Sequence, residues 1–284
     1  MSKLEKEAMH SSVLVIEPRG WVGDAGLKAI LKRRELVIML AMRSIRTRYR
    51  DTSLGVAWAF VQPLVYLLVL NTFFGLIARF NTGEIPYPLH LITGLTAFQL
   101  ITKSIADGAG AIQGNAEILG KIYIPISVFP AASILSSLID FAFPAILMVG
   151  FVIYYKIAPT SNLFLLPAAM LLLLVISIAI QVFMSVIAAR FKDAKQVVPI
   201  VSQLLFFSTP IFYPLSMIPE AYRDLYGFFN PMVGAIELWR WSILGLEPGP
   251  AWSVITASSL SATLMLLISF VMFRWLAPSV SRYI

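Results

Sequence analysis

Long uncharged stretches, separated by short charged ones, dominate the pattern of apolar and polar positions along this chain. A helix needs about 20 mainly apolar residues to cross the ~30 Å hydrocarbon core of a bilayer. Six stretches approach or exceed that length, and only one of them carries an internal charge, Asp140. The pattern therefore predicts an all-α integral membrane protein with six transmembrane helices, over 54–78, 85–102, 122–155, 157–190, 196–219 and 248–273.

The amino-acid composition agrees with a membrane protein and excludes several soluble classes. Of the 284 residues, 58% are hydrophobic and 13% are charged, whereas about 25% of the residues in a soluble domain are charged. A composition so poor in charge excludes a soluble enzyme, a disordered protein and a fibrous protein. The chain has no cysteine, which excludes a disulfide framework, a thiol nucleophile and a thiolate metal site.

The net charge of +7 is distributed unevenly between the two sides of the predicted membrane domain. With a cytoplasmic N-terminus, 18 of the 22 lysines and arginines fall on segments inside the cell. This bias predicts a multi-pass protein of the cytoplasmic (inner) membrane with both termini in the cytoplasm. It also favours anionic lipid rather than nucleic acid as the partner of the basic residues. The four basic residues on the outer side are Arg79, Lys156, Arg223 and Arg240.

Residues 1–53 are predicted to form a cytoplasmic tail and an amphipathic interface helix. A helical wheel of 26–50 has an apolar side and a basic side, which favours a helix lying in the headgroup plane. The alternative is a helix packed on a cytoplasmic protein. The tail lacks the apolar run of a cleavable signal peptide, so the first span is expected to target the chain. The apolar side carries Leu27, Leu31, Ile38, Met42, Ile45 and Tyr49, and the basic side carries Lys28, Lys32, Arg43, Arg46 and Arg50.

The cytoplasmic segment 107–125 of the predicted six-span domain, 54–284, only partly resembles a phosphate-binding loop. Five residues rather than four separate Gly114 from Gly120, and Ile122 stands where a P-loop has Ser or Thr. Nucleotide binding by this chain is therefore not expected. The segment instead predicts a short coupling helix over 115–123 whose exposed apolar residues need a protein partner. Its candidate contact residues are Glu117, Ile118, Lys121, Ile122 and Tyr123.

The outer segment 218–250 is predicted to contain two short helices around a turn at Asn230 and Pro231. Pro219 suits the start of the first helix, and 232–244 is typical of a second one. Each helix has about half the length of a span, which favours a re-entrant hairpin in the outer leaflet. A loop lying on the surface is the alternative. The aromatic residues that suit an interfacial belt are Tyr222, Tyr226, Trp239 and Trp241.

Catalytic and metal-binding groups cannot be assembled from this sequence. It has two histidines and neither paired carboxylates nor an HExxH motif. Enzymes acting on lipid phosphates need clusters of acids, bases or metal ligands, so the energy for any transport is expected to come from another polypeptide. Asp140 is either a hydrogen-bonding residue between helices or a functional acid. Lys103 lies near enough to the end of its span to snorkel.

Two helical stripes combine aromatic rings with hydrogen-bonding side chains. Lipid does not require such a combination, whereas a sugar presents apolar C–H faces rimmed by hydroxyl groups. The stripes therefore predict a substrate channel, with ordinary helix packing as the alternative. One stripe, in the first span, carries Gly55, Trp58, Gln62, Tyr66 and Phe73; the other, in the fifth span, carries Ser202, Phe206, Thr209 and Tyr213.

Four groups of short motifs follow one another along the chain: VLVIEP at 13–18 with Gly20 and Trp21, RTRYRDTSLGVAW at 46–58 with QPL at 62–64, GKIYIP at 120–125 with Phe129 and Pro130, and NP at 230–231. In this order they resemble motifs of polysaccharide-export ABC transporter permeases. These permeases are the membrane subunits that export O-antigen, capsule and teichoic-acid chains. The similarity covers the N-terminal tail, the start of the first span, the coupling region and the turn between two gate helices.

This resemblance implies a homodimeric permease, with two six-helix halves around one conduit and two copies of a separate ABC ATPase subunit. The chain itself would hold no cofactor, since ATP and Mg²⁺ would bind the ATPase, which would contact 107–125. The cargo would be a polysaccharide on undecaprenyl diphosphate, moved reducing end first. Arg48 and Arg50 would lie near the cytoplasmic entrance. The outer hairpin would form a gate with Tyr222, Tyr226, Asn230, Pro231 and Trp239.

Two other functions remain as alternatives to glycan export. A permease of the same architecture could export a drug or a lipid, although the extended aromatic stripe favours a glycan. An integral-membrane glycosyltransferase or phosphotransferase would need a carboxylate cluster that the sequence lacks.

Overall fold

The computed structural model describes residues 27–50, 52–80, 82–83, 85–119, 121, 124–191, 193–245 and 251–280. All regular secondary structure in these ranges is helical, as the sequence predicts. A π-helical turn, Asn71–Ile77, extends one of the helices. The α-helices are α1 (Leu27–Lys32), α2 (Arg34–Tyr49), α3 (Trp58–Leu70), α4 (Tyr87–Ala111), α5 (Ala116–Leu119), α6 (Val128–Tyr154), α7 (Leu166–Arg190), α8 (Ala194–Phe207), α9 (Glu220–Phe229), α10 (Met232–Leu244) and α11 (Trp252–Val280).

Four helical segments of the described chain are long and apolar enough to cross a membrane. They overlap the first, third, fourth and sixth predicted spans, and they support an integral membrane protein. The segments are Gly55–Ile77, Val128–Tyr154, Ser161–Arg190 and Trp252–Pro278.

The second and fifth predicted spans have a different character. α4 has 25 residues but carries polar side chains, among them His90, Gln99 and Lys103. α8 has 14 residues, which correspond to about 21 Å at 1.5 Å per residue. The chain leaves the helix at Ser208, so the fifth predicted span is a short helix followed by irregular backbone.

α4 lies at the centre of the bundle, in contact with α3, α6, α7, α8 and α10. Protein rather than lipid surrounds most of its side chains, and neighbouring helices supply hydrogen-bond partners to some of its polar groups. The buried Gln181 of α7 accepts a hydrogen bond from Ser133 Oγ of α6 (2.6 Å) and donates one to Ser104 Oγ of α4 (3.2 Å). α4 and α7 approach closely at Gly108, where an added Cβ would lie 2.9 Å from Gln181 Cα.

α2, the longer of the two helices in the range of the predicted interface helix, packs on the bundle through a side that the sequence pattern did not single out. Val37, Leu40 and Ala41 are buried in a core shared with α6, α7 and α11. Ile38 and Met42, on the predicted apolar side, are exposed. The prediction of one apolar side is therefore incomplete, because α2 is apolar on two sides and the bundle covers only one. The described residues leave the other side, with Ile38 and Met42, exposed.

The coupling segment is less helical in its described part than predicted. It contains a 3-10 turn, Gln113–Asn115, and the single turn of α5. The expected exposure of Ile118 is wrong, because its side chain is half-buried against the same core as Val37. Glu117 and Lys121 are exposed, as a contact with another protein requires. Two further predicted contact residues, Ile122 and Tyr123, lie outside the described residues.

Two helices occupy the predicted hairpin region, α9 after Pro219 and α10 after Asn230 and Pro231. α10 ends at Leu244, and the next residue, Gly245, has a φ of 64°, the left-handed conformation that favours glycine after a helix. α10 is buried along most of its length and packs on α4, α7 and α11. The alternative prediction for this segment, a loop lying on the surface, is therefore wrong for α10.

The aromatic-belt prediction is wrong for Trp239. Its ring is buried and makes an edge contact with Phe141 of α6, with 5.8 Å between ring centroids. The residue type suggested an interface, but the side chain belongs to the core of the bundle. Tyr222, in contrast, is exposed on α9, where a belt residue would be expected.

Candidate functional site

One side of α3 and of the π-helical turn that follows it combines exposed aromatic rings with an exposed amide. Trp58, Tyr66 and Phe73 are exposed, and so is Gln62 between them. A hydrogen-bonding amide facing lipid alone would be costly. This side is therefore expected to face a polar ligand, water or another protein chain.

A cavity of ≈ 450 Å³ lies between α3, α4 and α8; we refer to it as the amide–aromatic cleft. It brings together Gln62, Tyr66 and Phe206, three of the residues predicted to line a channel. The Tyr66 and Phe206 ring centroids are 6.3 Å apart. The stripes of the first and fifth predicted spans therefore meet in one cleft. Its remaining polar lining residues are Gln99, Thr102, Ser202 and Gln203.

Gln99 is a lining residue that the sequence did not single out. Its Nε2 is buried and has no hydrogen-bond partner among the described residues. A polar side chain at membrane depth was the signal that could have indicated it, because such groups need partners. Gln99, Gln62 and Thr102 also line a neighbouring cavity of ≈ 100 Å³, so the two cavities share one wall.

Three predicted channel residues do not line this cleft. Trp58 is exposed at the start of α3, and Phe73 is exposed in the π-helical turn that follows α3. Tyr213 follows the end of α8, and its hydroxyl lies 2.8 Å from the hydroxyl of Tyr226 of α9. The structure therefore joins Tyr213 to the predicted gate rather than to the cleft.

A charge cluster of Arg48, Lys103, Asp107 and Asp140 connects α2, α4 and α6. Arg48 Nη2 lies 2.9 Å from Asp107 Oδ1, and Arg48 also pairs with Asp140. Lys103 Nζ lies 2.9 Å from Asp140 Oδ2, so the predicted snorkelling of Lys103 is wrong. The two acids balance the two bases, which is the arrangement that partly buried charges require.

Neutral hydroxyl groups complete this charge cluster. Tyr49 donates a hydrogen bond to Asp140 Oδ1 (3.1 Å), and Ser137 donates one to Asp107 Oδ2 (3.1 Å). Lys103 and Asp140 line the smaller cavity beside Gln62 and Gln99. The cluster therefore fastens the interface helix beside the cleft. Of the two predicted entrance arginines, Arg48 belongs to the cluster and Arg50 lies exposed just after α2.

A known family matches the part of this chain that contains the cleft and the charge cluster. Residues 35–244 match the family described as ABC-2 type transporter. The chain is 32% identical to the O-antigen export system permease protein RfbA of Myxococcus xanthus over 215 residues, which cover 75% of this chain and 82% of that protein. It is 30% identical to the polysialic acid transport protein KpsM of Escherichia coli over 206 residues, which cover 72% and 80%.

A more distant relative is also named for polysaccharide export. The chain is 21% identical to the capsule polysaccharide export inner-membrane protein CtrC of Neisseria meningitidis serogroup A over 220 residues, 77% of this chain and 83% of that protein. The family match spans α3 to α10 and nearly all of α2. The chain belongs to the ABC-2 type transporter family.

Proposed function

We propose that this chain is the permease subunit of an ATP-driven exporter that moves a lipid-linked polysaccharide across the cytoplasmic membrane. The relatives named for O-antigen, polysialic acid and capsule polysaccharide export support this cargo. The observation that carries the proposal is the amide–aromatic cleft, because its chemistry matches that of a sugar chain.

The cleft offers both kinds of contact that a sugar ring needs. Tyr66 and Phe206 present ring faces suited to the apolar C–H faces of a sugar. Gln62, Gln99 and Gln203 can each donate and accept hydrogen bonds around the hydroxyl rim. Amides bear no net charge, so they suit a neutral or an acidic glycan that must slide rather than stay bound.

A second copy of this chain would complete the conduit. The exposed aromatic side of α3 is not covered by the described chain, and a homodimer would enclose it between two bundles. Each half would contribute six spans, with α4 buried at the centre and α8 continued by the irregular backbone after Ser208. Irregular backbone at membrane depth is tolerated where it is buried in protein or lines a cavity.

A separate ATPase subunit, present in two copies, would bind ATP and Mg²⁺ and drive transport. Exposed Glu117 and Lys121 of segment 107–125 are the described residues that could contact it. Ile118 would pass a movement of the ATPase on to the bundle rather than contact the ATPase itself, because it packs against the core that contains Val37 of α2. A movement of this turn would then reach the interface helix, the charge cluster and the cleft.

The proposed topology can be tested with single introduced cysteines, since the native chain has none. With both termini in the cytoplasm, cysteines replacing Thr82 and Ser161 should react with an impermeant thiol reagent added outside the cell. Cysteines replacing Ser2 and Ser281 should react only after the membrane is permeabilised. External labelling at position 2 or 281 would refute the orientation.

Deletion of the gene should cause lipid-linked polysaccharide to accumulate inside the cell. The expected result is an intracellular pool of undecaprenyl-diphosphate-linked glycan and a cell surface depleted of that glycan, restored by the gene on a plasmid. The measurement is extraction of the lipid-linked glycan with and without surface digestion. An unchanged surface glycan together with accumulation of another lipid or a drug would favour the alternative cargo.

A further inference from the structure

The backbone break after α8 is buried although it lacks helical hydrogen bonds. Thr209, Pro210, Ile211 and Phe212 are all buried, and the chain from Ser208 to Tyr213 is not helical. Buried carbonyl groups without partners are costly, and no water replaces them in a membrane. Other groups, most of them side chains, must therefore supply the donors that a helix would have supplied.

The first of these donors belong to the gate hairpin, the name we use for α9, Asn230, Pro231 and α10 together. Asn230 Nδ2 donates to the carbonyl oxygen of Ser208 (2.9 Å) and to Thr209 Oγ1 (2.9 Å). The Tyr226 hydroxyl also donates to the Ser208 carbonyl. The turn of the hairpin is thus fixed directly to the first residues of the break.

Arg240 of α10 provides the central donors. Its side chain is 1% exposed, and its Nη2 donates to the carbonyl oxygens of Pro210 (3.1 Å) and Ile211 (3.3 Å). Its Nη1 pairs with Glu237 Oε1 at 3.2 Å. Gly94 of α4 leaves room for this guanidinium, since an added Cβ would lie 2.7 Å from Nη2.

The remaining carbonyls of the break also have partners. Tyr87 donates to the Phe212 carbonyl (2.7 Å), and Tyr213 donates to the Phe207 carbonyl (3.3 Å). The Ile211 amide donates to the Thr209 carbonyl (2.7 Å). Every carbonyl from Phe207 to Phe212 therefore accepts a hydrogen bond, and Arg240 alone serves two of them.

We propose that Arg240 is a positioning residue that fastens this break to the gate hairpin, so that the hairpin and Phe206 of the cleft move as one body during export. The inference rests on the proposed function for its transport consequence. A planar guanidinium is suited to this role because its several N–H groups have fixed directions and can serve two carbonyls and a carboxylate together.

Four variants separate this role from simple charge balance. Arg240→Met removes the donors but leaves Glu237 unpaired, so the double variant Glu237→Gln with Arg240→Met removes that charge as well. Arg240→Lys keeps a cation beside Glu237 without the planar fork. The matched control is Arg223→Met, because Arg223 also pairs with a glutamate three residues earlier, at 3.4 Å, and serves the carbonyls of Ser216 and Ile218.

The first measurement follows the break itself and needs no cargo. A single cysteine replacing the buried Ile211 should react slowly with a maleimide in the parent and in Arg223→Met. It should react about tenfold faster in the double variant and in Arg240→Lys, because local opening exposes a buried thiol. An unchanged rate in the double variant would overturn the inference, since Arg240 would then only neutralise Glu237.

The second measurement follows transport in the complex with its ATPase. The double variant and Arg240→Lys should assemble in normal amounts, yet polysaccharide moved per ATP hydrolysed should fall at least about fivefold. Normal coupling with a fast-reacting cysteine would also overturn the inference. If the parent complex moved no polysaccharide, the proposed function would fail, while the cysteine result would still report whether Arg240 holds the break.

Discussion

Replacing Asp140 by leucine should deplete folded chain from the membrane. Arg48 and Lys103 share this carboxylate, and the change leaves both bases without it. Removing one partner of a buried ion pair costs about 3–5 kcal/mol, and the lower end applies here because the side chains of Arg48 and Lys103 are 24% and 26% exposed. The measurement is the amount of chain in membranes and its thermal stability after purification in detergent.

The matched control is Asp224→Leu, an identical change at an exposed position of α9. It should leave both measurements within error of the parent, as surface substitutions usually do. Asp140→Asn should lie between the two, because an amide oxygen can still accept the Tyr49 hydrogen bond. A stable Asp140→Leu chain would show that the charge cluster does not hold α2 on the bundle.

Tyr66→Ala should slow polysaccharide export about tenfold, since an aromatic contact of about 1.4 kcal/mol corresponds to that factor. Tyr66 is 47% exposed, so the change removes little core packing. The amount of chain in the membrane and its assembly with the ATPase should stay near parental values. The measurement is the rate of glycan appearance at the cell surface, normalised to the amount of chain.

Two variants separate a lost ring contact from a general loss of aromatic surface. Tyr66→Phe keeps the ring and should retain most of the export rate. Tyr154→Ala removes an exposed ring, 77% exposed, at the end of α6 and outside the cleft lining, and it should leave export unchanged. If Tyr66→Ala instead lost assembly while export per assembled complex stayed normal, the stripe would serve helix packing.

The sequence predicted the positions of helices better than it predicted which residues of different helices are in contact. The bounds of α10 follow from local signals, Pro231 at its start and Gly245 at its end, and these act within a few residues. Gln62, Tyr66 and Phe206 were predicted for the channel because helical spacing places each on a stripe. The partners that complete the cleft, such as Gln99, come from another helix, and no single-helix pattern contains that information.

The same limit explains the errors. Asp140 stands alone in its span in the sequence, and its bases lie on α2 and α4, far away along the chain. Ile118 was expected to be exposed because it lies on the short helix predicted for the cytoplasmic segment, but tertiary packing half-buries it. The fifth span was predicted to be continuous across the break after α8, because the residues of the break are as apolar as those of a span. The hydrogen-bond donors that stabilise the break lie on α4 and the hairpin, and the local sequence does not contain them.

The most direct test of the central claim is transport in proteoliposomes that contain this chain and its ATPase. Lipid-linked polysaccharide added on the ATPase side should become resistant to a glycan hydrolase outside the vesicles when ATP and Mg²⁺ are present. It should stay sensitive when ATP, the ATPase or this chain is left out. Equal protection without ATP, or ATP-driven movement of a lipid or drug while the polysaccharide stays outside, would contradict a polysaccharide-exporting permease.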